Sequence, residues 1–175
     1  IPKKYLPNRG EFYERRWFSS GLNLQPAKIM LPDGSDVLIS SEVIFSNSHG
    51  TFKFGVEICE DLWASGPVAQ QAAQGAEVVI SINGSPFHRD KPQVRRDLVA
   101  DRARSNGVVL AYVNQVGGQD ELVFDGGSLV ADARGNVVAH CPYFAENLLV
   151  VDIDFKVFLD YRGSCVKGHT FPRIK

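Results

Sequence analysis

With 175 residues, 44% of them hydrophobic and 22% charged, the chain has the makings of one domain with a real core, burying roughly 70% of its unfolded surface. A formal net charge of −1 without a basic block excludes a surface built for nucleic acid or acidic lipid. Apolar runs such as Val108 to Val113 are too short to span a bilayer.

The chain opens at Ile1 and its only methionine is Met30, so a longer reading frame is expected. Residues 1–27 read as irregular, with a short helical turn around Glu11 to Phe18. Lys28 to Leu38 reads as two strands around Pro32-Asp33-Gly34, a turn in which proline fixes φ and glycine accepts positive φ. In Thr51 to Ile58, Phe52, Phe54, Val56 and Ile58 alternate as in a strand. Pro67 to Gln74 reads as a helix, with proline in the first turn and Gly75 as the stop. Glu77 to Ile82 reads as a strand buried on both faces. Pro92 to Ser105 reads as a charged helix ending at Asn106-Gly107, followed by a strand over Val108 to Asn114. Leu122 to Phe124, Gly127 to Asp132, Val137 to Ala139 and Leu148 to Ile153 read as further strands, with a hairpin turn at Ala133-Arg134-Gly135-Asn136. The tail from Asp154 has no periodicity. Strands alternating with helices, then strands in series, predict an α/β chain with helices layered on mixed sheet.

The chemistry concentrates at Gly55-Val56-Glu57-Ile58-Cys59-Glu60-Asp61-Leu62-Trp63. A cysteine where a strand gives way to a turn is held at the rim of a sheet, where α/β folds place ligands and nucleophiles. Taken alone, Cys59 reads first as a buried structural cysteine. A cationic partner changes that balance, because an ammonium lowers a thiol pKa. Lys3 is the candidate, although a lone lysine is ordinarily a solvated group and Glu14 an ordinary helix-surface charge. The three cysteines, Cys59, Cys141 and Cys165, are odd in number and widely spaced, which favours a reducing, cytoplasmic setting over a disulfide framework.

Lys3-x-x-Leu6-Pro7, Glu14 and Cys59-Glu60-Asp61-Leu62-Trp63 resemble, in order and spacing, the nitrilase superfamily of carbon–nitrogen hydrolases. Asn83-Gly84-Ser85-Pro86-Phe87-His88 and the block from Tyr112 to Gly126, containing Gly117-Gly118-Gln119-Asp120-Glu121-Leu122-Val123-Phe124-Asp125-Gly126, narrow the resemblance. They are similar to the glutaminase domains of bacterial glutamine-dependent NAD synthetases over about residues 3–154. The resemblance implies an αββα four-layer sandwich, incomplete at the N-terminus, and a tail over 155–175 leading to an absent downstream domain. It implies a Glu–Lys–Cys triad, with Cys59 as nucleophile, Lys3 as triad lysine and Glu14 as a second glutamate positioning the triad. Glu60 and Trp63 fall where the family contacts glutamine, and Ser85 and Lys91 where it recognises the substrate's α-amino acid end. The triad glutamate lies upstream of the lysine in the family, before this chain begins, so these residues alone are expected to be nearly inactive. Arg9 stands where relatives commonly carry tyrosine.

The glutaminase step is expected to need no metal or cofactor. ATP, Mg2+ and deamido-NAD+ belong by resemblance to an ATP-dependent synthetase domain with a Ser-Gly-Gly-x-Asp-Ser loop, which does not occur here. A homo-oligomer is expected as well. The alternatives are another amidase or carbamoylase of the superfamily, and a catalytically dead assembly module. Elsewhere, His88 and Arg89 read equally as pocket mouth or loop surface. Asp120, Glu121 and Asp125 read as a turn or interdomain contact before a metal site. Gly117, Gly118, Gly126 and Gly127 mark turns and Cys141 and Cys165 are structural or incidental, while Arg95, Arg96, Arg102 and Arg104 read as a solvated helix face.

Overall fold

The alternation of β-branched and helical stretches becomes one mixed sheet covered on one face by helices. The computed structural model describes residues 1–153. In chain order the elements are α1 (Glu14–Trp17), β1 (Ala27–Met30), β2 (Asp36–Ile39), β3 (Ile44–Ser46), β4 (Lys53–Ile58), α2 (Glu60–Trp63), α3 (Gly66–Ala73), β5 (Val78–Asn83), α4 (Lys91–Asn106), β6 (Val109–Asn114), β7 (Val116–Gln119), β8 (Leu122–Asp125), β9 (Leu129–Ala131) and β10 (Val137–His140). The main sheet has six strands in the order β10-β9-β6-β5-β4-β3. Its centre, β4-β5-β6, is parallel, and β3, β9 and β10 join antiparallel. Two hairpins, β1-β2 and β7-β8, stand apart. Among the described residues no helix is long and apolar enough to cross a membrane.

The period-two pattern decides which side chains meet the helices. Val79, Leu110, Tyr112, Leu129 and Ala131 pack with Leu62, Val68, Ala72, Val99 and Ala103 in the principal core, under α2, α3 and α4. Gly55 admits α3 to this surface: a Cβ there would lie 2.2 Å from Gln71 Oε1, and Gln71 Nε2 donates to the Val56 carbonyl at 2.9 Å. The opposite face carries Val78, Val109 and Ala133 with Phe52, Phe54 and Ile80. It opens towards the strand ends, where Ile82 is 52% and Val113 47% exposed. The expected burial of Glu77 to Ile82 on both faces is therefore corrected, since helices cover only one side among the described residues.

The α/β class and the layering of helices on mixed sheet stand as expected, and the described residues supply one helix layer on the six-stranded sheet, with the two hairpins beside it. Both longer helices stop where expected, α4 at Gly107 in the left-handed conformation. Leu148 to Ile153 is a correction: no described strand pairs with it, and Leu148 and Val150 point into solvent. An apolar run becomes a strand only where a ladder partner takes its N–H and C=O groups. Gly117 and Gly118 sit inside β7 rather than in a turn, and the reversal falls at Asp120-Glu121, with Asp120 at φ 50°. The strands β3 and β7 and the helix α2 are additions to the expected elements. Cys165 and the tail over 155–175 lie outside the described residues.

Candidate active site

Cys59 directly follows β4, at the cap of α2, with φ 51° and ψ −98°, a conformation rare for a residue with a side chain. Its N–H donates to the Ile82 carbonyl at 2.9 Å and its carbonyl accepts from Leu62 N–H at 3.1 Å. The sheet on one side and α2 on the other thus hold the turn, and strain that is held in this way marks functional positions. The Gly84 N–H, on the loop after β5, lies close enough to the sulfur to lower its pKa.

The N-terminal segment brings in the ammonium. Lys3 Nζ donates to both carboxylate oxygens of Glu14, at 2.7 and 2.6 Å. Charge-assisted bonds of this kind are the strong ones, and they fix the lysine head from α1. The ammonium lies within electrostatic reach of Cys59 and draws its pKa down, as does the Gly84 N–H. Burial is the larger effect and pushes the thiol above its ordinary value, with Glu14 and Glu60 adding to the rise. The resting group is therefore a thiol, and its activation needs a base.

Polar and aromatic groups surround this centre. The Lys91 ammonium, at the start of α4, stands 4.6 Å above the Trp63 ring. Burial lowers its pKa, with Arg95 and Arg9 lowering it further while Glu11 and Cys59 oppose them. Glu60 is approached by Arg9 Nη2 at 3.5 Å, although the arginine is largely exposed. His88 Nε2 meets Glu11 Oε1 at 2.9 Å, a contact that holds the Glu11 carboxyl below its ordinary value. His88 thus belongs with this rim, and Arg89 is exposed. Cys59, Lys3, Glu14, Glu60, Trp63 and Lys91 are therefore gathered at one end of the sheet.

Ser85 is buried one layer deeper. Its N–H donates to Asn114 Oδ1 at 2.9 Å, its hydroxyl accepts from Arg95 Nε at 3.2 Å, and its carbonyl accepts from Arg95 Nη2 at 2.9 Å. Arg95 is 1% exposed; it also donates to the Pro86 carbonyl at 2.8 Å and to Asp125 Oδ1 at 2.6 Å. The expected solvated arginine face is thus corrected at two positions. Arg95 is a core cation, and Arg102 donates to the Leu62 and Trp63 carbonyls, both at 3.1 Å, at the end of α2. Arg96 and Arg104 are exposed as expected. The acidic trio also separates, with Asp120 and Glu121 exposed at a hairpin tip and Asp125 buried against Arg95. Cys141 is buried beside Asn147, in a small cavity away from the Lys3–Cys59 pair.

Behind the nucleophile, Glu57, Ser81 and Tyr112 stand side by side on the helix-facing side of β4, β5 and β6. Glu57 completes no hydrogen bond of good geometry. Burial first, then the Asp61 carboxylate, push its pKa up to about 8, against weaker opposing pulls from the Ser81 hydroxyl and Arg102. The folded chain therefore keeps a proton that the unfolded chain releases near its ordinary value of 4.5. The stability contributed by that proton is complete below the unfolded value and is lost as pH rises through the folded one. At about 1.36 kcal/mol per unit, the loss between pH 5 and 7 is about 2–3 kcal/mol. Glu57→Gln should remove this component, so urea unfolding at the two pH values should show a flatter dependence by that amount. Parallel changes in variant and parent would mean that Glu57 holds no proton.

Comparison with known proteins agrees with this geometry. The model of the carbon-nitrogen hydrolase family matches residues 1–162. A glutamine-dependent NAD(+) synthetase of Thermotoga maritima is 40% identical over 176 residues, covering 95% of this chain and 27% of that protein. One from Xanthomonas campestris is 41% identical over 150 residues, covering 86% and 24%. The solved structure of the Acinetobacter baumannii glutamine-dependent NAD+ synthetase, in complex with ADP, superposes with a TM-score of 0.73 at 34% identity, covering 89% of this chain and 26% of that one. The chain spans about a quarter of the length of these relatives. With the family model running through the lysine, the strained cysteine turn and the whole described sheet, this chain belongs to the carbon-nitrogen hydrolase family.

Proposed function

We propose that the protein hydrolyses the side-chain amide of glutamine, as the glutaminase part of a glutamine-dependent NAD synthetase. The observation that carries this reading is Cys59 on its strained turn, within reach of the Lys3 ammonium held by Glu14. The similarity to glutamine-dependent NAD(+) synthetases supports glutamine as substrate.

In the proposed reaction the Cys59 thiol loses its proton to a carboxylate base and the sulfur attacks the amide carbon. Lys3 donates to the oxyanion as charge develops there, where one donor is worth about 3–4 kcal/mol. The base returns the proton to the leaving nitrogen, ammonia departs, and a thioester remains. Water, deprotonated by the same base, cleaves the thioester to glutamate and regenerates the thiol. Both Glu14 oxygens are engaged by Lys3, which suits Glu14 to holding the lysine. The base role fits the glutamate that precedes the lysine in the family.

In this reading Glu60 receives the substrate's ammonium and Lys91 its carboxylate, with Trp63 as the apolar wall. Ser85 still has a hydroxyl proton to donate. The ammonia then serves amidation of deamido-NAD+ in an ATP- and Mg2+-dependent synthetase part, in a cytoplasmic homo-oligomer. No residue of this chain is assigned to those cosubstrates.

Ammonia release by the intact protein, compared between glutamine and simple aliphatic amides, tests the reading. Glutamine should be preferred, and a diazoketone analogue of glutamine should label Cys59 stoichiometrically. Equal rates with simple amides would make the protein a general amidase, and absence of labelling and turnover would make it an assembly module. Lys91→Ala should raise the KM for glutamine roughly tenfold, as loss of one charged contact does, with a smaller effect on kcat. An unchanged KM would remove Lys91 from substrate recognition.

A further inference from the structure

The buried carboxylate of Asp61 joins the two stretches of backbone that carry the reacting pair. Its Oδ1 accepts from the N–H groups of Lys4, at 3.0 Å, and Tyr5, at 2.8 Å. Its Oδ2 accepts from Ile58 N–H at 3.3 Å. Lys4 follows Lys3 and Ile58 precedes Cys59, so one side chain ties together the immediate neighbours of ammonium and sulfur. Asp61 is 3% exposed. Without it, two N–H groups of an extended segment would lose their acceptor.

The remaining ties on this segment come from elsewhere. Gly21 N–H donates to the Lys3 carbonyl at 2.9 Å, at an approach so close that a Cβ on Gly21 would lie 2.9 Å from the same oxygen. The Ser20 hydroxyl donates to the Lys4 carbonyl, and Lys4 Nζ donates to Gln70 Oε1 at 2.6 Å. These bonds hold the segment down, and only the Asp61 carboxylate among them reaches the backbone beside Cys59.

We propose that Asp61 is a positioning residue that sets the Lys3 ammonium against the Cys59 sulfur by clasping Lys4, Tyr5 and Ile58 with one carboxylate. This rests on the pairing of Lys3 with Cys59 stated above, and it concerns that pairing rather than the identity of the amide. It assigns the third residue of the Cys59-Glu60-Asp61 run a task apart from substrate contact.

The test is the pH dependence of Cys59 alkylation by iodoacetamide in the intact protein, in Asp61→Ala, Asp61→Asn and Lys3→Met variants. Cys59 faces Lys3, Glu14, Glu60, Lys91 and Tyr112. Removing the negative charge of a bystander would lower the thiol pKa or leave it in place. Removing a clasp lets the ammonium drift and raises it. Asp61→Ala is expected to move the alkylation profile up by about one pH unit, in the direction of Lys3→Met and by less than it, since an opposite charge at close range is worth about 1–3 units. In Asp61→Asn one oxygen still accepts while the amide NH2 meets a donor, so a smaller shift of the same sign is expected. This variant decides the matter should Asp61→Ala not fold. A shift in Lys3→Met, with a downward or unchanged profile in the folded Asp61 variants, overturns the proposal. No shift in Lys3→Met overturns the Lys3–Cys59 pairing itself.

Discussion

Cys59→Ala should lower amide hydrolysis by the intact protein by about 10³-fold or more, because it removes the covalent route and leaves only direct attack by water. Lys3→Met should cost about 10²–10³-fold, the order of one lost oxyanion donor. The Cys59→Ala/Lys3→Met double variant should be no slower than Cys59→Ala alone. Groups that act as a unit do not add: with no sulfur to attack, the ammonium has no developing charge to meet. The Lys3–Glu14 bonds do not involve the sulfur, so Cys59→Ala should leave folding intact. Steady-state ammonia release and urea unfolding of the three variants check this. Full activity in Cys59→Ala would remove the sulfur from the mechanism. Additive losses would mean that lysine and cysteine serve separate steps.

The resting thiol leads to the same expectation. Burial raises the Cys59 thiol pKa while Lys3 and the Gly84 N–H lower it. The lysine therefore offsets desolvation without generating a standing thiolate. Such a site gains most of its charge stabilisation during the reaction, which is the condition for acceleration rather than tight binding.

Features set by local pattern were legible in the sequence, while features set by long-range packing were not. The period-two run before Cys59 and the helical stretch closed by Gly107 are determined within a few residues, and both stand in the fold. The pairing of Lys3 with Glu14 and their approach to Cys59 came from the resemblance, because no local rule relates residue 3 to residue 59. Arg95 looked like any other arginine on a polar helix. Only the approach of Asp125 from β8, 30 residues away, turns it into a core cation. Asp61 was visible within the motif, but its task depends on Lys4 and Tyr5, 57 and 56 residues distant. Leu148 to Ile153 shows the converse, with an apolar pattern present and no described partner strand to pair with it.

Arg95→Met should destabilise the protein by about 3–5 kcal/mol, the cost of leaving one member of a buried ion pair uncompensated. Asp125 is fully buried, and its Oδ2 has no hydrogen-bond partner, so Arg95 at Oδ1 is its one compensating cation among the described residues. The same guanidinium serves the carbonyls of Ser85 and Pro86, which methionine cannot. Urea unfolding should show a lower midpoint at constant slope. Replacing both partners, Arg95→Met with Asp125→Leu, should recover part of the loss, because no charge is then stranded. The activity of the double variant separates two roles of this network. Ser85 directly follows Gly84, whose N–H lowers the pKa of the Cys59 sulfur. A double variant that regains stability yet stays slow in amide hydrolysis would mean that Arg95 holds the loop in register for the nucleophile. Equal recovery of stability and rate would confine Arg95 to the core. A loss below about 1 kcal/mol in Arg95→Met would show that water or a shifted side chain compensates Asp125, and that the pair is not the keystone its burial implies.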